Sequence, residues 1–265
     1  MEKIYQLEDL VGIMKALRGE NGCPWDKVQT HESLREPMLE EAYEAVDAIE
    51  KGDMTNLCEE LGDVLMQVVF HAQIAEETGV FTLADVLRGI CEKMIYRHPH
   101  VFGRGDVRAD TPEEVLVNWE ALKKKEKQVT SQTEAMKNVP DALPALLRAK
   151  KVQKKAADVG FDFDAAEDAF EKVYEECREL EASVRQNDGN QEEEFGDILF
   201  ALVNISRFLK INPEFALTKA IKKFINRFEN VENSAQSEGK KLSEMTLGEM
   251  DLLWDEAKKQ LDPKK

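Results

Sequence analysis

Two stretches of this chain repeat one another, and each places acidic residues inside an otherwise apolar helical pattern. Residues 57–71 read LCEELGDVLMQVVFH, and residues 190–207 read NQEEEFGDILFALVNISR. At 100° per residue, Phe195, Ile198, Leu199, Leu202 and Val203 cover more than half of the second stretch's circumference, which predicts a helix wrapped by other elements. Glu194 and Asp197 nevertheless share one face of it, a turn apart, as Glu60 and Asp63 do in the first copy. Burying ionised carboxylates without a partner is expensive, so the pattern calls for a cation among them.

The repetition extends well beyond these two helices. An acidic run, Glu40, Glu41 and Glu44, precedes the first stretch, and Glu175, Glu176 and Glu179 precede the second. Lys93 and Arg97 echo Lys223 and Arg227, and Trp119 echoes Trp254. A nearly constant displacement across all of these landmarks is the mark of an internal duplication. The expected architecture is therefore all-α, with two tandem helical bundles at 1–127 and 141–265 and a polar linker at 128–140.

Taken in order, apolar spacing predicts helices over 5–18, 33–49, 55–77 and 83–97. A fifth begins at Thr111 and Pro112, an N-cap followed by proline at the first helical position. The second copy repeats the plan with helices at 141–157, 165–185 and 190–210, one from Pro213, and one at 245–260 carrying Trp254. A short loop holding GFDFD spans 160–164, and no segment reads as a strand.

Composition narrows the function. With 53 acidic against 36 basic residues, the formal net charge is −17. That excludes non-specific binding to nucleic acid or to an anionic membrane. Cys23, Cys58, Cys91 and Cys177 form no C-x-x-C pair, as expected of a reduced, intracellular protein. The opening MEKIYQLEDL has no signal-peptide core, and no run of 18 apolar residues occurs, so the expected location is the cytoplasm.

Glu176 and Glu179 are spaced i, i+3 on one helix, and Glu194 and Asp197 i, i+3 on the next. A short turn between those helices can bring the four carboxylates together. An all-oxygen set without His or Cys suits a hard cation, Mg²⁺ first and Mn²⁺ as a substitute. Lys223 and Arg227, i and i+4 on a later helix, can neutralise phosphate charge, and Trp254 offers an aromatic face to a base. Each piece alone has a bland reading: EExxE as a solvated face, the cations as surface residues, Trp254 as core. Repetition of the whole set is what makes the pattern specific. His71 continues the Glu60/Asp63 stripe as a candidate polar member of that site. A ferritin-like di-iron bundle needs Glu-x-x-His pairs, and the residues three before His31, His71, His98 and His100 are Val28, Val68, Ile95 and Arg97. A non-catalytic acidic scaffold is the remaining rival.

EExxE followed about 15 residues later by ExxD, twice, with GCPWDKVQTHESL near the N-terminus and RHPHVFG at 97–103, resembles the MazG family across nearly the whole chain. The resemblance implies Mg²⁺-dependent hydrolysis of nucleoside triphosphates, ribo- and deoxyribo-, between the α- and β-phosphates, by homodimers of helical bundles. It implies Glu176, Glu179, Glu194 and Asp197 as metal ligands and Lys172 beside the phosphates. Glu175, Glu193, Lys223, Arg227 and Trp254 become substrate contacts, with Asn190 standing where a related protein carries lysine. In the N-terminal copy Glu41, Glu44, Glu60 and Asp63 retain the acids, but Pro37 stands at the position of Lys172. Tandem members of the family tend to rely on the C-terminal site.

Overall fold

The computed structural model describes residues 4–103, 107–126 and 130–261. The start of the expected linker, 128–129, and the C-terminal 262–265 lie outside the described residues. Every regular element among those described is helical, and the chain separates into two compact units, 1–127 and 128–265.

The N-terminal unit comprises α1 (Leu7–Arg18), α2 (Pro24–Val28), α3 (Arg35–Lys51), α4 (Met54–Glu77), α5 (Leu83–Arg97), α6 (Pro99–Phe102) and α7 (Pro112–Glu126). Its frame is the α3–α4 hairpin. Gly52 closes α3 in the left-handed region at φ 69°, where a side chain would be strained. Asp53 then caps α4, accepting from the backbone N–H groups of Thr55 and Asn56. Packing of α1 on α4 buries a core of Met14, Leu34, Val69, Phe70 and Ile74. The short α2 and α6 fall within stretches that the apolar spacing left as loops; Pro24 and Pro99 start them at the first helical position.

The C-terminal unit comprises α8 (Gln132–Lys137), α9 (Ala145–Ala157), α10 (Ala166–Gln186), α11 (Gln191–Phe208), α12 (Pro213–Ser237), a 3₁₀ turn at Leu242–Glu244, and α13 (Leu247–Leu261). Here α10 and α11 form the hairpin, α9 packs on α11, and α12 pairs with α13. One core gathers Ala169, Val173, Ala201 and Ile205, and a second gathers Val231, Ala235 and Leu253. Two findings differ from the sequence expectation. The stretch read as a polar linker contains α8, capped by Ser131, which buries Ala135 and packs on α9; with so few turns it shows no apolar period. And α11 is not wrapped: Phe195, Leu199 and Leu202 are 55%, 40% and 46% exposed, leaving that face uncovered by the described elements of its own unit.

The duplication persists in side-chain geometry. Arg97 lies over the Trp119 ring at 5.4 Å, and Arg227 lies over Trp254 at 5.7 Å.

Candidate active site

The turn at 187–190 decides how α10 faces α11. Asn187 takes the left-handed conformation at φ 51° and Gly189 follows at φ 89°. Asp188 accepts from the Ser183 hydroxyl at 2.5 Å and from the Asn190 backbone N–H at 3.0 Å. With the hairpin closed in this way, carboxylate oxygens of Glu176, Glu194 and Asp197 lie within 4.8 Å of one another. Glu176 is only 5% exposed, and Lys172, one turn earlier, reaches it at 2.6 Å while also pairing with Glu175 at 2.8 Å. These bonds to Glu175 and then Glu176 raise the Lys172 pKa, so the ammonium stays charged.

Glu179 lies outside the tight group but beside it. Partial desolvation, a hydrogen bond to Glu176, and the charges of Glu176 and Glu194 push its carboxyl upward. Glu194 is raised too, by desolvation first and then by Glu176 and Asp197. Asn190 is the exposed N-cap of α11, and Glu193 is exposed in its first turn.

The N-terminal unit assembles Glu41, Glu44 and Glu60 within the same 4.8 Å limit, with Asp63 outside the group. Desolvation followed by Asp63 and Glu44 raises Glu41, and desolvation followed by Glu44 and Asp63 raises Glu60. Pro37 lies in the first turn of α3, and the hydrogen bond to Glu41 comes from Gln67 rather than from a lysine. His71 does not join the acids; its Nδ1 meets His31 Nδ1 at 2.8 Å with the rings stacked, and burial lowers its pKa.

Each unit thus collects three of four expected carboxylates, with the fourth adjacent. Crowded acids, among which desolvation and neighbouring charges raise Glu41, Glu60, Glu179 and Glu194, on a donor set made only of oxygen, fit a hard divalent cation. In the C-terminal unit Glu176, Glu194 and Asp197, with Glu179 next to them, would hold it.

Lys223 and Arg227 sit on α12, where Trp254 from α13 packs on Phe224 at a ring distance of 5.0 Å. This cluster takes no part in lining a cavity of about 670 Å³ that opens beside the acids. Lys172, Glu176 and Asp197 form one edge of the cavity, and Phe161, Phe163 and Phe200 supply aromatic wall. Gln153, Asn204 and the Arg207–Asp162 ion pair supply its polar groups. None of these polar residues carries a motif in the sequence. The one legible sign lies in the duplication, where Asn204 occupies the position of Phe70.

Comparison with known proteins agrees with this arrangement. The description "MazG nucleotide pyrophosphohydrolase domain" matches twice, over residues 29–102 and 165–234. The chain is 45% identical over 251 residues to the nucleoside triphosphate pyrophosphohydrolase/pyrophosphatase MazG of Thermotoga maritima, covering 95% of each. It is 44% identical to the nucleoside triphosphate pyrophosphohydrolase of Escherichia coli K12, covering 96% of this chain and 98% of that one. Against the uncharacterized protein YabN of Bacillus subtilis the identity is 53%, over 93% of this chain and 50% of that protein. With two domain matches in the two units, each spanning its acidic hairpin, the chain belongs to the MazG family of nucleotide pyrophosphohydrolases.

Proposed function

We propose that this chain hydrolyses nucleoside triphosphates, ribo- and deoxyribo-, between the α- and β-phosphates, releasing a nucleoside monophosphate and pyrophosphate. The observation that carries the reading is the convergence of Glu176, Glu194 and Asp197 within 4.8 Å at the edge of a cavity, with Lys172 bonded to Glu176. The names of the relatives support the substrate class.

Glu176, Glu179, Glu194 and Asp197 are the proposed ligands of Mg²⁺, or of Mn²⁺ in its place. Such a cation supplies charge neutralisation for a polyphosphate and lowers the pKa of water. The chain's own residues do the rest. The carboxylates fix position and orientation on two rigid helices, and Lys172 holds a permanent positive charge where a phosphate must approach. Lys223 and Arg227 are proposed as further phosphate contacts, with Glu175, Asn190, Glu193 and Trp254 as substrate contacts. Glu41, Glu44, Glu60 and Asp63 form the proposed second metal site.

The proposed working form is a homodimer, because apolar residues of α11 and α12 stand exposed on the single chain. No helix among the described residues is long and apolar enough to cross a membrane, and the charge of −17 opposes nucleic-acid binding. The cytoplasm is the proposed setting.

The test is product analysis with ATP and dNTPs. Pyrophosphate with a monophosphate is expected, Mg²⁺ or Mn²⁺ is required, and excess chelator stops the reaction. Orthophosphate with a diphosphate, or full turnover in chelator, would overturn the assignment.

A further inference from the structure

The two units share one plan, yet they fill the space behind their acids differently. In the N-terminal copy that space is core: Leu34 is 1% exposed and Phe70 is 2% exposed, both packed with Met14, Val69 and Ile74. The register that aligns Glu41 with Glu176 aligns Leu34 with Ala169, and the register that aligns Glu60 with Glu194 aligns Phe70 with Asn204. Both exchanges put a smaller side chain in the C-terminal copy, and both Ala169 and Asn204 line the cavity of about 670 Å³ there. A leucine and a phenylalanine lost from a core leave a void that destabilises unless something else occupies it. The volume falls within the range of small-molecule sites, which pair apolar walls with a few placed polar groups.

The polar groups are of the kind that reads a heteroaromatic edge. Gln153 is 6% exposed and donates through Nε2 to the Phe200 carbonyl at 2.7 Å. A carbonyl can only accept, so this bond turns the amide around and commits Oε1 as the free acceptor. Gln153 Oε1 is indeed buried with no hydrogen-bond partner, on a side chain that lines the cavity. A buried acceptor left in that state is costly, which points to an N–H donor arriving from a ligand. Asn204 accepts from Arg207 through Oδ1 at 2.6 Å, so the group it offers is its amide N–H₂. Arg207 in turn grips Asp162 at 2.6 Å, tying the 160–164 loop and its two phenylalanines to α11.

We propose that this cavity is the nucleobase pocket of the C-terminal copy. Gln153 accepts from an N–H of the base, Asn204 donates to a neighbouring acceptor, and Phe161, Phe163 and Phe200 face the ring. Phe70 and Leu34 close the equivalent space in the N-terminal copy. This rests on the proposed pyrophosphohydrolase reading, since the cavity's edge at Lys172, Glu176 and Asp197 is where the phosphates would lie. Trp254, the aromatic face that the sequence offers to a base, is engaged by Phe224 and Arg227 and does not line this cavity.

The full-length chain carries the test in two variants, one rebuilding the N-terminal filling (Ala169→Leu with Asn204→Phe) and one removing the amide at constant size (Gln153→Leu). Two readouts are used: steady-state kinetics over a panel of NTPs and dNTPs, and calorimetric titration with nucleoside monophosphates in the absence of metal. The filled variant should raise KM and weaken monophosphate binding for every base by about tenfold or more, the effect of blocking a shape-matched pocket. Gln153→Leu should compress the ratio of kcat/KM between preferred and disfavoured bases by about 10- to 100-fold, the scale of an unpaired buried polar contact. Should the filled variant fail to fold, Gln153→Leu decides alone. Unchanged base preference and monophosphate affinity in Gln153→Leu would overturn the pocket, whatever the wild type hydrolyses. A wild type that binds monophosphates in a Gln153-dependent way but releases no pyrophosphate would sustain the pocket and overturn the pyrophosphohydrolase reading.

Discussion

Arg18 shows how one side chain organises the N-terminal unit. Its own side chain is 6% exposed, and it donates to both Glu77 oxygens, at 2.9 and 2.7 Å, and to the carbonyls of Asp26 and Gln29. One guanidinium therefore ties the end of α4 to α1 and to the α2 turn. The hydrogen bond from Arg18 holds the Glu77 carboxyl below its ordinary range, against partial desolvation, with help from Gln73. A depressed folded-state pKa stabilises the fold above the unfolded-state value, and that stability disappears as pH falls through the folded one. Glu77→Gln should thus lower stability at pH 7 by about 1 kcal/mol, a figure held down by solvent screening at a carboxylate more than a third exposed. Thermal melting from pH 7 to 3 should show the gap closing on acidification; a gap that persists at pH 3 would mean that charge is not its source. The ionic role of Arg18 was illegible in the sequence, because nothing marks a partner 59 residues away. The acids of the candidate site were legible for the opposite reason: a motif compresses them into two neighbouring helices, and the duplication writes it twice. Gln153 stands alone in its segment, and Asn204 is set apart in the sequence only by the duplication, where it takes the place of Phe70.

At the scale of elements, apolar periodicity located the long helices to within a few residues, since tertiary packing and local propensity agree along them. It failed on α8, where two short turns bury Ala135 and expose polar neighbours. It also left open what covers the helices. On α12, Leu217, Ile221, Phe224, Ile225 and Phe228 follow helical spacing and are 50%, 52%, 56%, 57% and 41% exposed. Scattered apolar residues on a surface need no explanation, but a continuous stripe of this kind marks an interaction face. A second copy would supply matching apolar cover through a two-fold contact. Sedimentation equilibrium at micromolar concentration should therefore give at least twice the chain mass of 30.2 kDa. Ile225→Glu, placing a charge at the centre of the stripe, should shift the population toward monomer. A wild-type monomer under these conditions would sink the homodimer.

For the whole molecule, the duplication raises the question of which copy works. Both units gather three carboxylates within 4.8 Å, so metal binding alone does not separate them. The cation does: Lys172 is bonded to Glu176 in one copy, while Pro37 occupies that position in the other. The space behind the acids separates them again, open beside Glu176 and filled by Phe70 and Leu34 in the N-terminal core. A triphosphate approaching Glu41 and Glu60 meets no counterpart of Lys172, and losing one such charge from a water-poor site costs on the order of a hundredfold in rate. Glu194→Gln keeps the shape of the C-terminal cage but removes a charge from it, so kcat/KM should fall by about a hundredfold or more. Glu60→Gln should leave most of the turnover. Because desolvation and then the charges of Glu44 and Asp63 push the Glu60 carboxyl upward, replacing it also relieves repulsion, and the metal-free protein should melt at the same or a higher temperature. Measuring both variants side by side in the full chain settles the division of labour. Equal losses, or a larger loss in Glu60→Gln, would mean that the N-terminal site turns over substrate despite Pro37 and its filled core.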